Sequence, residues 1–414
     1  MTKSIAYGLL AMAVSASLAL ANGGEGDKKK DAYQGNGVSW KPGSGITFDG
    51  GDEFGLRLSN QLQSQWVYVG NESSALADTN NFMVRRARTS LDGHVFNRNI
   101  GFKLQVDAVD AGANIKDAWA TYSFVNSDRA RVGLRFGQGK TGFGLEGSGS
   151  SKYLFFVERS AATRTFADAR TRGLWFFGSY MENKLRWDGG VMNGDVSKGI
   201  AVLDTGEEGS NADNELSYTL NVSFDPMGDT TGGKSNFGAQ QGDLGDGTKD
   251  LVGTIGAGAF FGNNKTAPGS ADTESTAFNI NTAWRVSGFQ AQGEVFIRND
   301  DPQGGTEEDS IGWYAQAGYA LPRSGDSPLQ WGFGVRASMI DTDSTATYLA
   351  TTLGSMAGGF GASGKVTEIS AVVNAFYHGH AAKTQLEYTY QDVDNDTGTD
   401  WTNGILRMQF QLLF

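Results

Sequence analysis

The 414-residue chain contains no cysteine, six prolines and three histidines, and each scarcity removes a class of explanation. Without cysteine there are no disulfides, thiol nucleophiles or thiolate metal sites. The histidines, His94, His378 and His380, are too few and too poorly spaced for a Ser-His-Asp centre. Basic residues are also in deficit: 34 Lys+Arg stand against 46 Asp+Glu, a formal charge of −12, which argues against a nucleic-acid binder relying on overall positive charge. Past the N-terminus no run approaches the ~18 consecutive apolar residues of a membrane-spanning helix. If the mature chain enters a membrane, strands must carry it. What is abundant is glycine, 59 residues, about twice the usual ~7% share.

The N-terminus defines a compartment. Lys3 precedes an apolar stretch from Ile5 to Leu20 that ends Ala19-Leu20-Ala21, the pattern of a secretory signal with an A-x-A cleavage site, with an N-terminal membrane anchor as the alternative. Removing residues 1–21 leaves 393 residues and a charge of −13. Residues 22–52, glycine-rich with Lys28-Lys29-Lys30, read as a mobile periplasmic tail lacking the heptads of a cell-wall-binding coiled coil. Residues 53–414 form the remaining domain.

Within that domain apolar and polar side chains alternate along segments of roughly ten residues, the period of a sheet between two different environments. Ile311, Trp313, Ala315, Ala317, Tyr319 and Leu321 share one face, and Ser310, Gly312, Tyr314, Gln316 and Gly318 the other. Between Ala382 and Tyr390, Lys383, Gln385, Glu387 and Thr389 oppose Leu386, Tyr388 and Tyr390. Sixteen such segments are predicted, at 54–69, 82–96, 100–110, 115–125, 130–138, 172–180, 184–192, 216–224, 251–262, 274–286, 287–298, 310–321, 329–340, 364–377, 381–393 and 402–414. Short links at 97–99, 181–183 and 378–380 read as periplasmic turns, alternating with longer outer loops. The connection Asp225 to Asp250 is too long for that rule: either it folds inward or the register there is wrong. The last strand presents Leu406, Met408, Phe410, Leu412 and Phe414 on one face, and its terminal phenylalanine looks like the bacterial outer-membrane assembly signal. These features predict an all-β fold, a 16-stranded antiparallel transmembrane β-barrel in the outer membrane of a Gram-negative-type bacterium.

Several blocks carry a resemblance to a known family. They are Phe82-Met83-Val84-Arg85-Arg86-Ala87-Arg88, Gly101-Phe102-Lys103-Leu104-Gln105-Val106-Asp107, Ile115-Lys116-Asp117-Ala118-Trp119, Phe136-Gly137-Gln138-Gly139-Lys140 with Phe143-Gly144-Leu145-Glu146, and Ser150-Ser151-Lys152-Tyr153 leading to Glu158-Arg159-Ser160. Over roughly residues 46–195 the chain is similar to the phosphate-selective porins O and P. The resemblance implies a homotrimer of sixteen-stranded barrels embedded in outer-membrane lipid, with an inward-folded constriction loop, here about 139–171. Where the family pattern has an aromatic before the loop lysine and a proline after it, this chain has Gly139 and Thr141 around Lys140.

Strand parity sorts the charges independently of any family, because the polar face of each strand must line a water-filled interior. Basic residues on those faces exceed acidic ones by five and the loop segment adds three, so the predicted interior carries +8 within an acidic chain. Arg86, Arg88, Arg131 and Arg135 are predicted wall contacts for anions, with Lys140, Lys152, Arg159, Arg164, Arg170 and Arg172 at the constriction. The competing reading pairs several of them with Asp92, Asp107, Glu146 or Glu158 to hold the loop.

Other motifs rank lower. Gly142-x-Gly144-x-x-Gly147 matches a dinucleotide fingerprint but no amphipathic helix follows it. Asp392, Asp394 and Asp396 alternate as in a calcium loop, yet Thr397 replaces the expected glycine, and a solvated outer loop is the simpler reading. His378 and His380 read as a solvated turn. An acidic loop with Asp195, Asp204, Glu207, Glu208, Asp213 and Glu215 would oppose anion passage if it bent inward. The expected function is passive diffusion of small hydrophilic solutes through a water-filled pore with an anion preference and no cofactor or catalysis. A general pore, a nonconducting structural barrel and a barrel enzyme are the alternatives.

Overall fold

A computed structural model describes residues 33–35, 37–72, 77–109, 113–167, 170–193, 215–228, 241–245, 247–265, 272–323, 329–343, 364–396 and 400–414. The signal-like segment 1–21, Lys28-Lys29-Lys30 and the acidic positions 195–213 lie outside the described residues.

Three short strands come first: β1 (Tyr33–Gly35), β2 (Val38–Lys41) and β3 (Gly45–Asp49). Sixteen long ones follow: β4 (Phe54–Asn71), β5 (Thr79–Val95), β6 (Ile100–Asp107), β7 (Asn114–Asn126), β8 (Ala130–Lys140), β9 (Arg170–Tyr180), β10 (Leu185–Met192), β11 (Ser217–Met227), β12 (Val252–Lys265), β13 (Asp272–Val286), β14 (Phe289–Pro302), β15 (Glu308–Ala320), β16 (Gln330–Thr342), β17 (Gly364–Phe376), β18 (Ala382–Asn395) and β19 (Trp401–Leu413). Each pairs antiparallel with the next, and β19 returns to β4 through Leu412↔Leu62 and Leu406↔Tyr68, which closes the ring and leaves no sheet edge exposed to lipid.

The alternation read from sequence is the alternation of the wall. On β18, Leu386, Tyr388 and Tyr390 point outward and are exposed, while Lys383, Gln385, Glu387 and Thr389 point inward and are buried. Such buried polar residues on a barrel wall mean that something occupies the interior. The occupant is the connection between β8 and β9, folded into α1 (Leu145–Ser148), a 3₁₀ turn (Ser151–Tyr153) and α2 (Ala161–Phe166). Ser150 and Ser160 accept the first backbone N–H groups of the last two, the expected N-cap chemistry.

One expectation is corrected and one alternative is decided. Residues 22–52 are not simply a tail: β1–β3 form a small antiparallel sheet, and β3 pairs with the start of β4 through Ile46↔Leu58 and Phe48↔Leu56. β4 overhangs the chain's C-terminus, so this stretch would otherwise have an unpaired edge, and Ile46 is buried against it. Of the two alternatives for the long turn-side connection after β11, the inward one holds for its described residues 241–245, where Gln241 and Asp243 are buried.

Candidate functional site

The β8–β9 connection is held by the wall on the far side of the lumen. The Ala162 N–H donates to Ser338 Oγ at 3.1 Å, and the Val157 N–H to the Glu387 carboxylate at 2.7 Å. Lys383 and Gln385 donate to the Leu154 and Phe155 carbonyls at 2.6 and 2.9 Å. At the other end of the segment, the Glu294 carboxylate accepts from the Leu145 and Glu146 N–H groups at 2.8 and 2.6 Å. Inward-facing glycines make room for the loop's aromatic rings: a Cβ on Gly318 would lie 2.7 Å from Phe155, and one on Gly334 3.0 Å from it. Phe155 and Phe156 thereby pack with Val372 and Phe376, while Phe166 stacks on Phe296 at 5.6 Å between ring centres.

The ten cations singled out in the sequence fall into distinct groups. Four are in ion pairs: Arg86 with Glu158 (2.8 Å), Arg88 with Asp107 (2.6 Å), Arg164 with Glu368 (3.1 Å) and Arg170 with Asp117 (2.9 Å). Arg85, swung inward by a bulge in β5, joins Glu158 as well. Two others brace the loop through its carbonyls, Lys140 on Gly147 and Gly149, and Arg159 on Glu146 and Gly149. Lys152 reaches Ser59 Oγ at 3.4 Å. Arg172 shares its strand face with the exposed, outward-pointing Leu174 and Phe176 and donates to Gln138 at 3.2 Å, so its place is in the wall rather than the lumen.

Arg131 and Arg135 remain, and they are held differently. The Arg135 guanidinium carbon lies 4.2 Å from the centre of the Trp175 ring, and that of Arg131 5.4 Å from Phe177. Register explains the geometry: Arg135 is directly opposite Trp175, and Phe177 faces Gly133, whose missing side chain leaves the ring space beneath Arg131. Stacking holds a guanidinium flat without consuming its N–H edge. Arg135 also donates to the Lys140 carbonyl at 3.0 Å and Arg131 to Ser123 at 3.3 Å. Among the described residues neither has a carboxylate within ion-pair distance.

Both line a cavity of about 340 Å³ between the loop and the β7–β12 wall, together with Trp119, Lys140, Asp188, Asn221 and the backbone of Gly142 and Gly144. Arg186 also lines it but is neutralised by a two-point bond to Asp225, both contacts at 2.6 Å. Asp188, bonded to Asn221 at 3.3 Å, is the acid facing Arg135.

The interior is less basic than strand parity suggested. Arg85 joins it and Arg172 leaves it, and the buried Asp225, Asp243, Asp300 and Glu308, which the sequence reading placed in connections or beyond strand ends, add four acids; the tally falls from +8 to +4. His380 is no solvated turn residue: it is buried and donates through Nε2 to the Gln241 carbonyl at 2.7 Å, while His378 is exposed. The Gly142–Gly147 motif ends in the four-residue α1, whose leading amides are occupied by Glu294, so no phosphate cradle forms. Asp392 and Asp394 lie on β18, not in a loop, and no metal-ligand cluster occurs among the described residues. Trp175 and Phe177 were missed, although their parity with Ser179 places them on the lumen face.

Comparison with solved structures gives an anion-selective porin from Comamonas acidovorans at 11% identity, covering 87% of this chain and 100% of that one, with a TM-score of 0.57. The outer-membrane channel DcaP of Acinetobacter baumannii matches at 12% identity over 87% and 98% of the two chains, TM-score 0.55. The trimer form of OmpT from Vibrio cholerae matches at 13% identity over 87% and 100%, TM-score 0.52. No curated protein matches. At these identities the likeness concerns the barrel alone. The family model for phosphate-selective porin O and P matches residues 56–414, and this chain therefore belongs to that family of outer-membrane channel proteins, which are porins and not enzymes.

Proposed function

We propose that the barrel is an anion-preferring diffusion channel whose selecting step is the cavity beside Arg131 and Arg135. One observation carries this reading: among the described residues these two guanidiniums face the open part of the lumen without a carboxylate in ion-pair distance, whereas Arg86, Arg88, Arg164 and Arg170 are each neutralised in place. A cation fixed in a narrow passage with low-dielectric walls concentrates anions and speeds their entry, and two in sequence permit handover from one to the next. Because the arginines lie four residues apart on β8, the step between them is about 13 Å along the strand. The solved porin described as anion-selective is consistent with this reading.

The test is a reversal potential in planar bilayers under a KCl gradient, followed by competition among chloride, phosphate and a dicarboxylate. The expected sign is that of chloride permeation; cation preference overturns the proposal. Asp188 in the same cavity favours a second reading, a general pore whose opposed charges cancel, and a permeability ratio near one would establish it. Assembly as a homotrimer is part of the proposal. It is supported by the trimer form of OmpT and by Asn60 and Thr89, which bond each other at 2.9 Å on the outward face of β4 and β5, a polar pair better covered by protein than by lipid. Crosslinking in intact outer membranes checks it.

A further inference from the structure

The described end of the turn-side connection between β11 and β12, residues 241–245, meets the β8–β9 connection inside the lumen. At that meeting point Gln241 uses every polar atom it has. Its N–H donates to the Tyr153 carbonyl at 2.9 Å, and its Nε2 to the Glu146 carboxylate at 3.1 Å. Its Oε1 accepts from the Phe155 N–H at 2.9 Å and from Gln316 at 3.2 Å, and its carbonyl accepts from His380 at 2.7 Å. A single buried residue, through backbone and side chain together, thus joins three points of the constriction segment to the wall and to a turn.

The residues that follow anchor it. The Gly242 and Gly245 N–H groups donate to the side-chain oxygens of Gln290 and Gln330 at 2.6 and 2.9 Å. The Asp243 carboxylate accepts from the Gly288 N–H at 2.7 Å and caps Thr248, and Leu244 packs on the Phe155–Phe376 cluster. His380 itself is fixed, with Nε2 donating to Gln241 and Nδ1 3.3 Å from the Lys383 ammonium.

We infer that Gln241 is a positioning residue for the constriction, and that residues 241–245 are a brace on the turn side that sets the depth of the inward loop. The reach to the passage is short: Glu146, held by Gln241, belongs to α1, and Leu145 and Ser148 of the same helix line the cavity with Arg131 and Arg135. Ser338 and Glu368 hold the later part of the loop, Glu387, Lys383 and Gln385 its middle, and Glu294 the α1 amides, while Gln241 bonds both α1 and the Tyr153–Phe155 stretch and so ties the two together. The inference rests on the proposed role of the loop as the constriction, and its test separates the two.

The measurement is open-channel current in planar bilayers. Among the described residues, Gln241→Ala leaves the Phe155 N–H unbonded and the Glu146 carboxylate with only the Ser160 N–H, so the population of displaced-loop substates rises about tenfold, seen as current noise and substate dwell. Gln241→Asn, which keeps the amide one methylene short, falls between. Because the chain has no cysteine, the double variant Tyr153→Cys/Gln241→Cys can be closed and opened at will: oxidised it is quiet, and with reductant the same molecules become noisy. Quiet currents in Gln241→Ala, or noise in the cysteine pair that ignores its redox state, overturn the inference. Heat-modifiable mobility on gels identifies a variant that has failed to fold, in which case the cysteine pair decides. Arg131→Ala/Arg135→Ala should shift the reversal potential without adding noise. A wild-type channel lacking anion preference, combined with noisy Gln241→Ala currents, removes the selectivity proposal and leaves the brace standing.

Discussion

The two halves of the lumen wall are built for opposite tasks. From β14 round to β4 the inward faces are amide-rich, with Gln290, Gln316, Gln385, Gln409, Gln411, Gln63 and Gln65 all buried, and the acids and cations among them are consumed in pairs or on loop carbonyls. From β7 to β12 the inward face carries Trp119, Arg131, Arg135, Trp175 and Phe177, and an open cavity runs beside them. Amides offer both donors and acceptors, so they can satisfy a folded segment's backbone whatever group it presents. Stacked arginines offer donors only, which suits a passing acceptor. The contrast separates charges that hold the constriction from charges that face the solute.

The strongest way to break the contrast is to invert the conducting side. Arg131→Glu/Arg135→Glu reverses the cavity's sign and removes only the Arg135 bond to the Lys140 carbonyl at the loop's base, and the reversal potential under a KCl gradient should change to that of a cation channel while conductance persists. Arg86→Ala is the matching change on the holding side. It should leave the sign intact and act through the loop, because Arg86 already spends its charge on Glu158.

Next comes the nest for the loop. Gly318→Val places branched carbon where Phe155 now lies, and overpacking of this kind costs about 1–3 kcal/mol. Since the wall is a closed hydrogen-bonded ring and the loop is not, the loop should give way. The expected result is a larger single-channel conductance with weakened selectivity, and Gly318→Ala should show the same trend at smaller size.

Third, Glu158→Gln removes the carboxylate that both Arg85 and Arg86 face, leaving Arg86 buried without its counter-charge. Breaking one side of a buried pair costs about 3–5 kcal/mol, so the thermal midpoint in detergent should fall clearly while the reversal potential keeps its sign. A changed sign with unaltered thermal stability would place this pair on the conducting side and erase the division.

Much of the division could be read in the chain and some could not, for reasons of range. The faces of β15, β18 and β19 follow from a period of two, a local property, and so do the sixteen strands, whereas the inward fold of 139–171 comes only with the family resemblance. The fate of each cation depends on partners remote in sequence: Arg164 meets Glu368, and Val157 meets Glu387. No spacing rule reports such contacts, and parity alone counted Arg86 and Arg135 as equivalent. Gly318 and Gly334 read as generic strand glycines in the sequence, and only the distant Phe155 against them gives them a purpose. Trp175 and Phe177 were legible in principle, as aromatics on a polar-parity face beside Ser179, but alternation is normally searched for apolar residues on the lipid side.

The smallest expected effect tests the turn end of the holding side by pH. Burial, then the neighbouring Lys383 ammonium, holds the His380 imidazole well below its usual value. The charged and titratable groups around it are Lys383 on β18, Arg285 on β13 and the Tyr153 phenol on the loop, whose ring lies 5.7 Å away. The braced state therefore keeps His380 neutral, while a state with the brace released lets it take up a proton near pH 6.5. The brace is at full strength above that pH and weakens as pH falls below it, by roughly 1.4 kcal/mol per unit. Open-channel noise should be flat from pH 8 to about 7 and rise on going to about pH 5. In His380→Asn the acid-induced rise should disappear, because asparagine can donate to the Gln241 carbonyl and does not titrate in this range. The same acid-induced rise in that variant would move the sensitivity to another group and detach His380 from the brace.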